Sequence, residues 1–198
     1  VRNVTFSGNS AYWGGGLYIG EEGRAVLEGC TVGPDNNVYT AGGGIANMGV
    51  MTVTQSTIAG NSGTGTQGGA GIVNYGQLSL VNSTISDNET YVNGGGILVS
   101  NGSVDLDHCT VTANTADLDA DGPGGGGGIY IEFGSVQVRN TIVAGNSLGV
   151  GSDAPGPDLR GTFSSLGYNL IGNGTDASGF DETGDQVGTT AAPIAPRL

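Results

Sequence analysis

The chain has 198 residues, 41 of them glycine, with five arginines, no lysine, eighteen acidic residues and a formal net charge of −13. That balance excludes nucleic acid and anionic membrane surfaces as partners, because both are held by cationic patches. No apolar run reaches the length of a membrane span, which excludes direct membrane insertion by a helix, and the glycines follow no strict Gly-X-Y period, which excludes a collagen-like triple helix.

Two landmarks recur in phase along the chain. The first is Thr5-Phe6, Thr31-Val32, Thr57-Ile58, Thr84-Ile85, Thr110-Val111 and Ile142-Val143, whose leading residues are spaced by 26, 26, 27, 26 and 32 positions. The second is a glycine run before an aliphatic residue: Gly14-Gly15-Gly16-Leu17, Gly42-Gly43-Gly44-Ile45, Gly68-Gly69-Ala70-Gly71-Ile72, Gly94-Gly95-Gly96-Ile97 and Gly126-Gly127-Gly128-Ile129. Repeats of this length mean a solenoid. A helical repeat is excluded, since each glycine would cost roughly 1 kcal/mol against alanine. The apolar residues alternate, as in Leu78-Ser79-Leu80, Val104-Asp105-Leu106 and Val136-Gln137-Val138, which is strand periodicity. The expected fold is all-β: a right-handed, single-stranded parallel β-helix of about six coils, right-handed because parallel crossovers favour that sense.

Taken in chain order, residues 1–146 form the coils. Leu27, Val53, Leu80, Leu106 and Val138 form one inner column, and Phe6, Val32, Ile58, Ile85, Val111 and Val143 a second. Cys30, Ser56, Ser83, Cys109 and Thr141 form a third inner column, and the leading threonines point outward. Asn9, Asp35, Asn61, Asn88, Asn114 and Asn146 mark a corner with a side-chain hydrogen-bond ladder. Cys30 and Cys109 then lie about 14 Å apart at the strand spacing, too far for a disulfide, which needs Cα atoms within roughly 7 Å. Residues 147–198 lose the period and are expected to form a less regular coil, a cap or an extension. Val1 enters directly in register, so the chain is expected to be a piece of a longer polypeptide and to associate end to end with copies of itself through open strand edges.

Two constellations carry candidate chemistry. Asp117-Leu118-Asp119-Ala120-Asp121-Gly122 lies in an inserted loop, 117–128, and its alternating carboxylates suit one hard cation. Asp117, Asp119 and Asp121 are therefore candidate calcium ligands, although Gly128 stands where an EF-hand loop has its bidentate glutamate; the alternative is a solvated acidic loop. Asp105, Asp107 and His108 are close in sequence, but the columns place Asp107 beside Arg139 and His108 between Asn82 and Asn140. An exposed ion pair and a polar ladder account for them without catalysis.

The segments STIAGNS and GGAGIVNYGQLSLVNSTISDN, together with GGGIYIEFGSVQVRNTIVAGN, resemble the right-handed β-helix repeats of large bacterial surface proteins, and are similar to those of polymorphic outer-membrane proteins of the autotransporter kind. Residues 157–194 resemble the closing segment of bacterial β-helix proteins of the choice-of-anchor type. The resemblance implies an extracellular or cell-surface protein, with a secretion signal before the coils and an anchor after them. Stalks, adhesins and enzymes share this scaffold. The expected function is a structural or adhesive module, not an enzyme, whose partners are copies of itself, surface glycans or another cell-surface protein. The alternative is a carbohydrate-active β-helix enzyme.

Overall fold

The computed structural model describes residues 1–120, 124–149, 151 and 156–197. Within them the chain winds through four parallel sheets of eight, six, seven and six strands. Each complete coil contributes one strand to each sheet in turn. The fourth coil shows the plan: Thr84–Ser86, then Glu89–Thr90, Ile97–Val99 and Ser103–Asp107. Every strand is hydrogen-bonded in parallel to its counterparts one coil away, as Thr84 is to Thr57 and Thr110. The winding does not stop at residue 146. Leu159–Thr162 and Ser164–Ser165 complete a sixth coil, and Leu170–Ile171, Ala177–Ser178 and Gln186–Val187 carry a shorter continuation.

The alternating pattern sends every second residue into the lumen. Leu27, Val53, Leu80, Leu106 and Val138 are buried there, as are Val32, Ile58, Ile85, Val111 and Val143. Cys30 and Cys109 are separate buried thiols. The third inner column is a hydrogen-bonded chain, for the N–H of Cys30 donates to Ser56 Oγ at 3.0 Å and that of Ser56 to Ser83 Oγ at 3.2 Å.

The corner ladder is present, with one correction. Its second rung is Asn36, not Asp35. The second coil carries one extra residue at this corner, so Asp35 is extruded into solvent with φ of 61°. Asn36 takes the buried place because a rung must accept from one coil and donate to the next, and an ionised carboxylate cannot donate. Asn36 Nδ2 donates to Asn61 Oδ1 at 2.9 Å. Asn61 passes the same bond to Asn88, Asn88 to Asn114 and Asn114 to Asn146, each at 2.9 Å.

This ladder explains why the glycine runs keep phase with it. The last glycine of each run lies against a rung: a Cβ built on Gly44, Gly71 or Gly96 would stand 3.0, 3.0 or 3.1 Å from Nδ2 of Asn61, Asn88 or Asn114. Only glycine fits there, because the same Cβ would also stand 2.7, 2.5 or 2.6 Å from the carbonyl oxygen of Gly71, Gly96 or Gly128 in the next coil.

In the second to fourth coils the third sheet is buried on both faces. Ile45, Ile72, Ile97 and Ile129 fill the lumen, while Ala46, Val73 and Leu98 point outward into a second apolar cluster with Ala41, Trp13, Tyr75 and Tyr130. The glycine-rich segments between the second and third sheets lie over this outer column. A Cβ on Gly42 would meet Val73, and one on Gly69 would meet Val73 and Leu98. Those segments are short in the first two coils, residues 14–16 and 42–44, and longer in the following ones.

Candidate binding face

Three regions of the described surface carry chemically capable side chains, two of them in depressions. One lies on the outer face of the fourth sheet. Asp105 and Asp107 project from Ser103–Asp107 two residues apart, and with Gln137, Arg139 and Leu166 they border a groove of about 250 Å³. The register puts Asp107 beside Arg139 and Asp105 beside Gln137. Arg139 grips Asp107 with Nε and Nη2, the Nε bond being 3.2 Å, and His108 Nδ1 lies 2.7 Å from Asp107 Oδ1. The Arg139 hydrogen bond leads in holding the Asp107 carboxyl down to about 2, with Asn140 and His108 adding to it. Such a carboxylate stays ionised near neutrality and has no proton to give, so Asp107 cannot serve as the general acid that glycoside hydrolysis needs. His108 occupies a left-handed corner position with φ of 54°, in line with Asn82 at 49° and Asn140 at 51°, as the column alignment leads one to expect.

The acidic loop is the second feature. Asp117 is 1% exposed and adopts φ of 54°, with its N–H on the Val92 carbonyl at 2.8 Å. Asp119 is exposed, and Asp121 lies outside the described residues. Among the described residues no three carboxylate, imidazole or thiol groups converge on a common point as a metal would require.

The third feature is aromatic and was not read from the sequence. Tyr12, Trp13, Tyr18, Glu21 and Met48 line a cleft of about 510 Å³ where the second and third sheets meet in the first two coils. Local geometry builds it. Tyr12 and Trp13 are adjacent in the strand Ser10–Trp13, and a regular strand would send them to opposite faces. The pairing with Asn37–Ala41 shifts at this point, the extra residue lying on the partner strand between Val38 and Ala41, and Tyr12 and Trp13 both border the cleft. Trp13 is anchored by the outer cluster, with its ring 6.0 Å from Tyr75 and edge-on to it. Tyr18 is the outward residue of Leu17–Ile19, in the column of Ala46, Val73 and Leu98. It is 55% exposed where Ala46, Val73 and Leu98 are buried. Glu21 stands on the tight turn closed by Gly23 N–H to the Gly20 carbonyl at 2.7 Å, and the Met48 N–H donates to the Ile19 carbonyl at 2.8 Å, one coil on.

The aromatic surface continues sideways. Tyr39 lies 6.3 Å from Tyr12, ring to ring, and remains 64% exposed although coils flank it on both sides. A further depression of about 350 Å³ follows along the same corner, bordered by Gln67, Tyr75, Leu98, Glu132 and Phe133. Tyr75 joins the two, its ring against Trp13 and its hydroxyl donating to Gln67 Oε1 at 2.8 Å. The available sequence signal was Tyr12-Trp13, which includes the single tryptophan of the chain. Column alignment hides it, because no other coil repeats it.

Searches of curated proteins and of solved structures find no match. The family described as "Right handed beta helix region" matches residues 1–173, which are the six complete coils and the start of their continuation. The parallel four-sheet winding and this match agree: the chain belongs to the right-handed β-helix family.

Proposed function

We propose that the chain is an extracellular, cell-surface type of binding module: a rigid β-helix that carries an adhesive face and performs no catalytic step of its own. The observation that carries the reading is the aromatic corner, where Tyr12, Tyr18 and Tyr39 are 74%, 55% and 64% exposed. Large exposed aromatic patches on otherwise polar proteins mark interaction sites, and Tyr and Trp are the residues that dominate binding energy at interfaces. Trp13, Tyr75 and the buried cluster beneath hold the corner rigid, which lowers the ordering cost of binding.

The resemblance to bacterial surface repeats supports the extracellular placement. Of the partners that the sequence suggests, a surface molecule met from the side fits this corner better than a copy of the chain met end on. The rival reading, a polysaccharide-cleaving enzyme, finds less support, since Asp107 is committed to Arg139.

An array of surface glycans and cell-surface proteins, probed with wild type and with Tyr12→Ala/Tyr39→Ala, tests the reading. Binding by wild type that is lost in the double variant, with bound polysaccharides recovered at unchanged length, is the expected result. Equal binding by both proteins, or shortened polysaccharide, would overturn it.

A further inference from the structure

We infer that the cleft bounded by Tyr12, Trp13, Tyr18, Met48 and Glu21 binds a quaternary ammonium group of the choline class. The inference rests on the reading of the aromatic corner as the binding face and names the chemistry that face takes. Three aromatic rings, one thioether and one carboxylate border the cleft, and no arginine is among them. Aromatic faces are the negative ends of the ring quadrupoles and attract a cation brought within about 6 Å of the ring. A polarizable thioether adds soft contact. Glu21 supplies a full negative charge, and the chain's net charge of −13 draws cations rather than anions towards it.

The lining also selects among cations. A primary ammonium brings three donors that need acceptors, and the one charged acceptor bordering the cleft is Glu21. A trimethylammonium group has no N–H to satisfy and offers methyl groups to the rings. A sugar would need several donors and acceptors around its ring edge, where the lining side chains provide one carboxylate, two phenol hydroxyls and one indole N–H.

The protein makes the same arrangement with its own chain elsewhere in the corner. In the outward column that contains Tyr18, the Arg160 guanidinium sits 5.5 Å from the Tyr130 ring centre, and Asp176 Oδ2 lies 3.0 Å from Arg160 Nε. Ring, cation and carboxylate are thus combined at Tyr130. In the first coil Tyr18 and Glu21 present ring and carboxylate to solvent, with Tyr12 and Trp13 beside them.

Trp13 is the one tryptophan of the chain, so tryptophan fluorescence reports from the wall of this cleft. The probes are choline and tetramethylammonium, compared with 3,3-dimethylbutan-1-ol, which has the shape of choline without its charge, and with methyl glucoside. The expected result is a saturable Trp13 response to both cations, with affinity at least about tenfold above that for the neutral alcohol, and weaker at high salt. Tyr18→Ala and Glu21→Gln should each weaken it several-fold, while Tyr18→Phe, which keeps the ring, should retain it with unchanged melting. Phosphatidylcholine vesicles that sediment the protein, with choline competing, would assign the group to a lipid; free choline binding without sedimentation would assign it to a soluble or polymer-borne ligand. Either outcome supports the cleft. No saturable response, or equal affinity for the neutral alcohol or the glucoside, overturns the inference. If Tyr12→Ala/Tyr39→Ala still abolishes array binding in that case, the binding face stands and only its ligand class falls.

Discussion

Asn146 donates both its backbone N–H and its side-chain amide to one oxygen of Asp158, each at 2.8 Å. Asp158 is the rung at which the asparagine ladder ends. Its other oxygen accepts the Asn173 N–H at 2.8 Å. The serine and cysteine column ends the same way: Thr141 N–H donates to Asn169 Oδ1, and Asn169 N–H and Nδ2 both donate to Asp185 Oδ1, each bond being 3.0 Å. Along both ladders the donors point towards the later coils, so the last residue need only accept. An ionised carboxylate is the side chain that only accepts.

Replacing Asp158 by asparagine keeps an acceptor for Asn146 but turns an amide towards the Asn173 N–H. One buried donor is left unpaired, and a loss of about 1–3 kcal/mol is expected. The pH dependence gives a second readout. Burial comes first in raising the Asp158 carboxyl above the ordinary aspartate range, against the three N–H bonds that lower it. The folded state therefore binds the proton more tightly than the unfolded one. Stability of the wild type falls as pH rises from the ordinary aspartate range through the raised value. The variant lacks this fall, so the gap between the two should be widest in acid and narrow towards neutrality in urea titrations.

At the other end of the ladder, two adjacent residues with similar side chains should behave in opposite ways. Asn36→Asp removes the donors to the Phe6 carbonyl at 2.7 Å and to Asn61 Oδ1 at 2.9 Å. It sets a buried carboxylate against two acceptors, and a cost of about 3 kcal/mol or more is expected. Asp35→Asn lies in solvent at a left-handed position that asparagine adopts readily, and should stay within about 0.5 kcal/mol of wild type. Similar melting of the two variants would contradict the ladder.

Much of the fold was legible because each coil repeats the same demands. Alternation placed Leu80 and Ile85 in the lumen, and the glycine runs marked the corner. The slip from Asn36 to Asp35 came from counting residues across a corner that holds one more than the same corner of the neighbouring coils; asking which side chain could donate as well as accept would have caught it. The outer cluster of Ala46, Val73 and Leu98 was hidden because residues that point outward are expected to be polar, and nothing local shows that a glycine-rich segment lies over them. Asp158 and Asp185 were missed because the period fails after residue 146. The aromatic cleft was missed for the opposite reason. A repeat alignment keeps what the coils share, and Tyr12, Trp13 and Glu21 are what the first coil does not share.

The thiols give a direct check of register. Cys30 and Cys109 are both buried, and burial pushes the Cys109 thiol up to about 11. A neutral, enclosed thiol is a poor nucleophile. Native protein should react negligibly with a thiol reagent at neutral pH, denatured protein should titrate both cysteines, and reductant should change neither mobility nor melting. A disulfide in the purified chain would contradict the coil spacing.

Inner and outer faces of the first sheet separate in one further comparison. Ile85→Asp puts a carboxylate into the lumen without a partner and should cost more than about 4 kcal/mol, enough to prevent folding. Thr84→Asp, on the half-buried outer face, should change stability by roughly 0.5 kcal/mol. Comparable circular dichroism and melting for both would refute the assignment of faces.

The central claim is that a rigid stack presents one aromatic corner as its binding face, and that the corner is separable from what holds the stack together. Melting and surface retention, measured side by side on Tyr12→Ala/Tyr18→Ala and wild type, test it most directly. Both rings stand largely in solvent, so the variant should melt within about 3 °C of wild type. Its retention on a surface that holds the wild type should fall by about tenfold or more. Unchanged retention in a protein that melts like wild type would contradict the account.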